Sequence, residues 1–130
     1  MKFLMLIFII SVLAFSSQVN AQDKWQIADK ATVRLKPAVF TQLPKSIILY
    51  LQKRGCRVPQ IFGETKPHNV IRGEFAKPNQ FDWAVLCSRK RISAILVFWN
   101  GSTKSVAEIA RADDRGYLQT ISEGGAAGFS

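Results

Sequence analysis

Three stretches of the chain are patterned in three different ways, and each pattern predicts a different element. Phe3 to Phe15 is a thirteen-residue apolar run broken only by Ser11. Pro44 to Arg54 sets Ile47, Ile48 and Leu51 on one face at helical spacing, with Leu49 and Tyr50 widening it, which predicts a helix over 44–54. Pro44 suits the first turn of that helix, Lys53 and Arg54 complement the negative end of its dipole, and Gly55 is a natural terminator. From Phe81 to Ser88 the pattern changes to alternation, with Phe81, Trp83, Val85 and Cys87 on one side of a strand and Asp82, Ala84, Leu86 and Ser88 on the other. Ile92 to Trp99 is apolar on both sides, which places it in the middle of a sheet under a cover, and the helix is the obvious cover.

Weaker signals fill in the rest. Gln22 to Phe40 is mixed, with a short edge strand expected at Thr32 to Lys36. Arg57 to Asn69 carries Pro59, Gly63 and Pro67 and reads as an irregular connection. Further strands are expected at Asn69 to Ala76, Val106 to Ala110 and Tyr117 to Ile121, with turns at Lys77 to Gln80, Asn100-Gly101 and Asp113 to Gly116. The expected fold class is α+β: one main helix (about 44–54) packed on an antiparallel meander of four to five strands, behind a cleaved N-terminal signal helix. Residues 22–130 are read as a single small globular domain, with the glycine- and alanine-rich tail at about 122–130 flexible or truncated.

The apolar run at the N-terminus is read as an export signal. Lys2 gives the positive start, the run is too short for the about twenty residues a spanning helix needs, and Val19-Asn20-Ala21 offers a small-residue cleavage site. Residues 1–21 are therefore expected to be removed, leaving a secreted or periplasmic protein with no integral membrane segment. An uncleaved anchor is the alternative. Cys56 and Cys87, the only cysteines, then fall in an oxidising compartment and are expected to pair, tying the helix end to the sheet; two free buried thiols are the alternative.

Charge changes the picture next. The chain has 18 basic and 9 acidic residues, a net charge of +9, and signal removal takes away only Lys2. Such a balance favours polyanionic neighbours, and it also simply keeps a domain in solution. Lys53, Arg54 and Arg57 flank one cysteine, and Arg89, Lys90 and Arg91 follow the other, so the disulfide would gather these six as a candidate anion-binding patch. A solvated hairpin tip is the alternative reading of Arg89 to Arg91. Nucleic acid is not the expected partner, because no aromatic ladder accompanies the cations. Trp83, Phe98 and Trp99 are read as core and edge filling before a ligand groove.

Catalytic chemistry finds little support. His68 is the single histidine and sits in a loop, so no zinc ligand set and no marked serine triad emerge. Glu74 and Asp82 across a hairpin could form a general acid/base pair, though carboxylates in such positions more often bind loop amides. Asp113 and Asp114 beside Arg115 read as turn chemistry with local charge balance. No cofactor is expected.

Gly73-Glu74-Phe75 and Asp82-Trp83-Ala84-Val85 match the two ends of a known pattern, and the fourteen residues from Gly73 to Leu86 resemble the core of one FG-GAP repeat, the blade motif of integrin-type β-propellers. The resemblance implies a strand–loop–strand unit whose loop in that family often binds calcium. Here Ala76 and Pro78 stand at two of the acidic positions, leaving only Glu74 and Asp82, so no calcium site is expected. The functional expectation is a non-enzymatic secreted or periplasmic binding module. It would engage a protein, an anionic polymer or a membrane surface through its basic edge. An inhibitor of a secreted enzyme and a small hydrolase using Glu74, Asp82 or His68 are the alternatives.

Overall fold

The structure, a computed structural model, describes residues 20–61, 66–121 and 127–129, so residues 1–19, the greater part of the expected signal, lie outside it. Helix α1 (Asn20–Ala31) leads into strand β1 (Arg34–Leu35), a 3₁₀ turn at Pro37–Val39 and helix α2 (Lys45–Lys53). Strands β2 (Val58–Pro59), β3 (Val70–Gly73), β4 (Asp82–Arg89), β5 (Ile92–Phe98) and β6 (Val106–Asp113) follow, with 3₁₀ turns at Trp99–Gly101 and Asp114–Tyr117. Strands β7 (Leu118–Ile121) and β8 (Ala127–Phe129) pair with each other.

β3 to β6 form a four-stranded antiparallel meander in chain order. The predicted α+β architecture is present: α2 covers one face of this meander. Its inward Ile47 and Leu51 pack with Phe40, Val58, Val70, Val85, Leu96 and Phe98, and Tyr50 meets the Phe98 ring edge-on at a centroid distance of 5.4 Å. Gly55, at φ +71°, supplies the left-handed residue that stops α2 and turns the chain into Cys56. Cys56 is bonded to Cys87 of β4, with the two Cα atoms 5.2 Å apart. Beyond the disulfide, Arg57 exchanges backbone hydrogen bonds of 2.9 and 2.8 Å with Ser88 and so continues the sheet where β3 stops short.

β5 is buried on both faces along most of its length, as its composition predicts. The second cover is α1, a helix that the mixed pattern of Gln22 to Phe40 did not suggest. Ala28 packs on Leu86, beside Ile95 and Tyr117, on the face opposite α2. α1 also lies against β7, β8 and the 3₁₀ turn at Asp114–Tyr117, and ion pairs fasten it further. Arg34 donates to Asp29 Oδ1 at 2.6 Å and to Asp114 Oδ2 at 2.7 Å, and Arg91 donates to Asp29 Oδ2 at 2.7 Å. Asp114, 1% exposed, also accepts from the hydroxyls of Ser88 and Ser93, both at 2.7 Å. Only Asp113 keeps the local role expected of that turn, accepting from the Arg115 amide at 3.0 Å.

The strand expected at Thr32 to Lys36 shortens to the two residues of β1, which pair with β2. The expected strand at Val106 to Ala110 extends to Asp113, and Ala127–Phe129 of the expected tail pairs with β7; residues 122–126 and 130 lie outside the described residues. Among the described residues no helix is long and apolar enough to cross a membrane.

Candidate functional site

α2 is too short to cover the strands beneath it. Its nine residues reach about 13 Å at 1.5 Å per residue, whereas the eight residues of β4 reach about 26 Å. The uncovered end of the α2 face is a recess of about 140 Å³. Its floor is Ile92, Ala94 and Leu96 of β5 with Cys87 of β4. Around that floor stand Arg54 from the end of α2, Arg89 and Lys90 from the β4–β5 turn, and Glu108 and Arg111 from β6.

The turn itself is tight. Arg89 pairs with Ile92, leaving a two-residue connection in which Lys90 (φ +50°) and Arg91 (φ +65°) are both left-handed. That is the conformation of the hairpin turn most compatible with strand twist, and it ordinarily calls for asparagine and glycine. Arg91 is held in it from two sides: its carbonyl accepts from the Asp114 amide at 2.9 Å and its guanidinium binds Asp29. Fastening Arg91 to the α1 side leaves Arg89 and Lys90 on the recess side.

Arg111 reaches the recess through a bulge. Ser93 faces Ala112 and Ile95 faces Ile109, so Ala110 and Arg111 together oppose Ala94, with Ala110 at φ +53°. Strict alternation would put Glu108 and Arg111 on opposite faces; the extra residue puts both on the α2 face, where Arg111 donates to Glu108 Oε1 at 2.7 Å. Arg54 donates to Glu108 Oε2 at 3.0 Å and to the Tyr50 hydroxyl at 2.8 Å. Glu108 thus spaces two guanidinium groups, and the Arg111 hydrogen bond, followed after the opposing effect of burial by the charge of Arg54, holds its carboxyl below the usual range. The Arg54 guanidinium is correspondingly pushed up, first by its bond to Tyr50.

The six expected cations do not form one patch. Arg54, Arg89 and Lys90 share the recess. Arg57 lines a separate pocket of about 190 Å³ with Lys36, Gln52 and Cys56, Lys53 is exposed at the end of α2, and Arg91 is spent on Asp29. Arg111 and Glu108 were not legible as site residues, because no sequence signal marks an alanine as the seat of a bulge.

Of the residues considered for catalysis, Asp82 and His68 are engaged with backbone. Asp82 is fully buried and accepts from the Phe75 and Ala76 amides at 3.0 and 3.1 Å, the Gln80 side chain at 2.7 Å and the Asn100 amide at 2.7 Å. Burial alone pushes its carboxyl up; the donors, Asn100 foremost, outweigh this and hold it below the ordinary aspartate value. Glu74 is exposed nearby. His68 accepts from the Ile61 amide at 2.6 Å through Nε2, while Nδ1 lies 2.7 Å from the Lys66 carbonyl, which fixes the proton on Nδ1. Phe98 is fully buried, and Trp83 packs against the same core. Among the described residues no three His, Cys, Asp or Glu side chains are grouped to hold a metal.

Comparison with known proteins adds no assignment: no family model matches the chain, and neither the curated proteins nor the solved structures contain a match.

Proposed function

We propose that this is an exported, non-enzymatic binding module, secreted or periplasmic, that engages an anionic component of the cell envelope through its basic edge. The observation that carries this reading is the convergence of Arg54, Arg89, Lys90 and Arg111 on one recess, with a single carboxylate among them. Fixed guanidinium groups around a concave floor suit an anion with several oxygens better than scattered surface lysines do. The disulfide suits an oxidising compartment, and the N-terminal charge, apolar run and small residues support export. No cofactor enters this reading.

Co-sedimentation of the mature protein with anionic vesicles and with an acidic wall polymer, at low and high salt, tests it. Binding at low salt that is released at high salt, and that weakens at least about tenfold in an Arg89→Ala/Lys90→Ala double variant, is the expected result. Absence of binding at low salt, or retention indifferent to both salt and the substitutions, overturns it.

A second reading, attachment to a protein, has its own observation. Phe75 and Phe81 are exposed on the β3–β4 connection, and Arg72 lies over the Phe81 ring at 4.0 Å. Aromatic side chains and arginine are enriched at the centres of protein interfaces. An inhibitor using that surface would hold its target at high salt and lose it on Phe75→Ala/Phe81→Ala substitution.

A further inference from the structure

The floor of the recess carries information beyond its charged rim. An anion site for a fully hydrated polymer needs no apolar floor, yet Ile92 is 36% exposed at the mouth, directly across from Arg89, and Ala94 and Leu96 continue the same row inward. Ala94 is what makes the row concave, being the one small residue between Ile92 and Leu96. The volume of about 140 Å³ lies well below the about 300 Å³ at which pockets begin to enclose drug-sized molecules. It fits one anionic group and the first carbons attached to it.

The rim narrows the anionic group. Glu108 already supplies one carboxylate to Arg54 and Arg111. A second monoanionic carboxylate would add little there, whereas a phosphate monoester brings up to two charges and three terminal oxygens that Arg89, Lys90 and the outer N–H groups of Arg111 can share. Arg111, 61% exposed at its side chain, keeps most of its fork free for this.

Resting on the basic-edge reading above, we infer that the recess takes a phosphate ester joined to an aliphatic stem, with the phosphate among Arg89, Lys90 and Arg111 and the first carbons on Ile92 and Ala94. Glu108 is then a positioning residue. It holds the Arg54 and Arg111 forks apart at the width of the site, and its own carboxylate sets a lower limit on the charge an incoming group must carry.

Titration calorimetry and amide chemical-shift mapping of the mature protein with inorganic phosphate, hexyl phosphate and hexanoate test the inference. Hexyl phosphate is expected to bind about tenfold more tightly than either inorganic phosphate or hexanoate, with shifts at Arg89, Ile92, Ala94 and Glu108. Ile92→Ser is expected to bring hexyl phosphate down to the affinity of inorganic phosphate, and Arg111→Ala to weaken both. Equal affinities for hexyl and inorganic phosphate, tightest binding by hexanoate, or shifts elsewhere overturn the inference. If vesicles or wall polymer are still bound in a salt-sensitive way when that happens, the basic-edge reading survives; if they are not, both fall. Sources separate with vesicles of phosphatidylcholine with and without phosphatidic acid: binding to the phosphatidic acid vesicles that hexyl phosphate displaces assigns the recess to a lipid headgroup, and absence of binding to both mixtures assigns it to a soluble ester.

Discussion

Asp82 and Asp114 are both carboxylates sealed from solvent, one answered by amides, the other by a guanidinium and two hydroxyls. Because the folded-state value of Asp82 lies below that of an unfolded aspartate, its contribution is fully present above about pH 4 and is lost as pH falls through the lower folded value. Asp82→Asn, which puts an amide donor among four donors, should lower the urea midpoint at neutral pH and flatten its decline at acid pH. A variant with the wild-type acid slope would show that the carboxylate is not what the loop senses. For Asp114 the vulnerable partner is Arg34. Arg34→Ala takes the guanidinium from the fully buried Asp114 and leaves Asp29 with Arg91 alone, and should cost about 3 to 5 kcal/mol in equilibrium unfolding. A loss under about 1 kcal/mol would mean that water replaces the guanidinium.

Among the elements, α2 and the β4–β5 hairpin were legible because burial wrote their periods into the sequence. Ile47 and Leu51 recur at helical spacing since both meet the core, and β4 alternates since its two faces have different neighbours. α1 was not legible for a matching reason. Only Ala28 among its described side chains is buried, while Trp25 and Ile27 are exposed, so there is no apolar stripe to read. What holds the helix is its contact with the β7–β8 pair together with the ion pairs of Asp29, whose partners Arg34 and Arg91 are brought together by tertiary structure. The link between α2 and β4 is covalent, and opening it frees a loop spanning 31 residues of sequence separation. Reduction should therefore destabilise the domain by about 3 to 4 kcal/mol, seen as a fall in the urea midpoint on adding dithiothreitol. An unchanged midpoint would place the stabilisation in the apolar contacts of α2 alone.

For the whole molecule, the basic surplus was plain in the composition, but its distribution was not. Arg34 turns inward to acidic partners, Arg91 is tied to Asp29, and Arg54 and Arg111 are braced by Glu108, so that of the six candidate cations Arg89, Lys90, Lys53 and Arg57 are left as outward charge. With a net +9, like-charge repulsion acts on the folded state, so moderate sodium chloride at neutral pH should raise the thermal midpoint. A falling midpoint would show that the ion pairs outweigh the surplus.

The left-handed alanine at position 110 has a consequence away from the recess. β6 is the long outer strand of the meander, and a straight strand there would present an unbroken ladder to any neighbour. The kink at Ala110 interrupts that ladder midway, so a second copy of the chain arriving at this border finds only short runs of backbone in step with its own. The same distortion that delivers a guanidinium to one face guards the molecule against stacking on itself at high concentration.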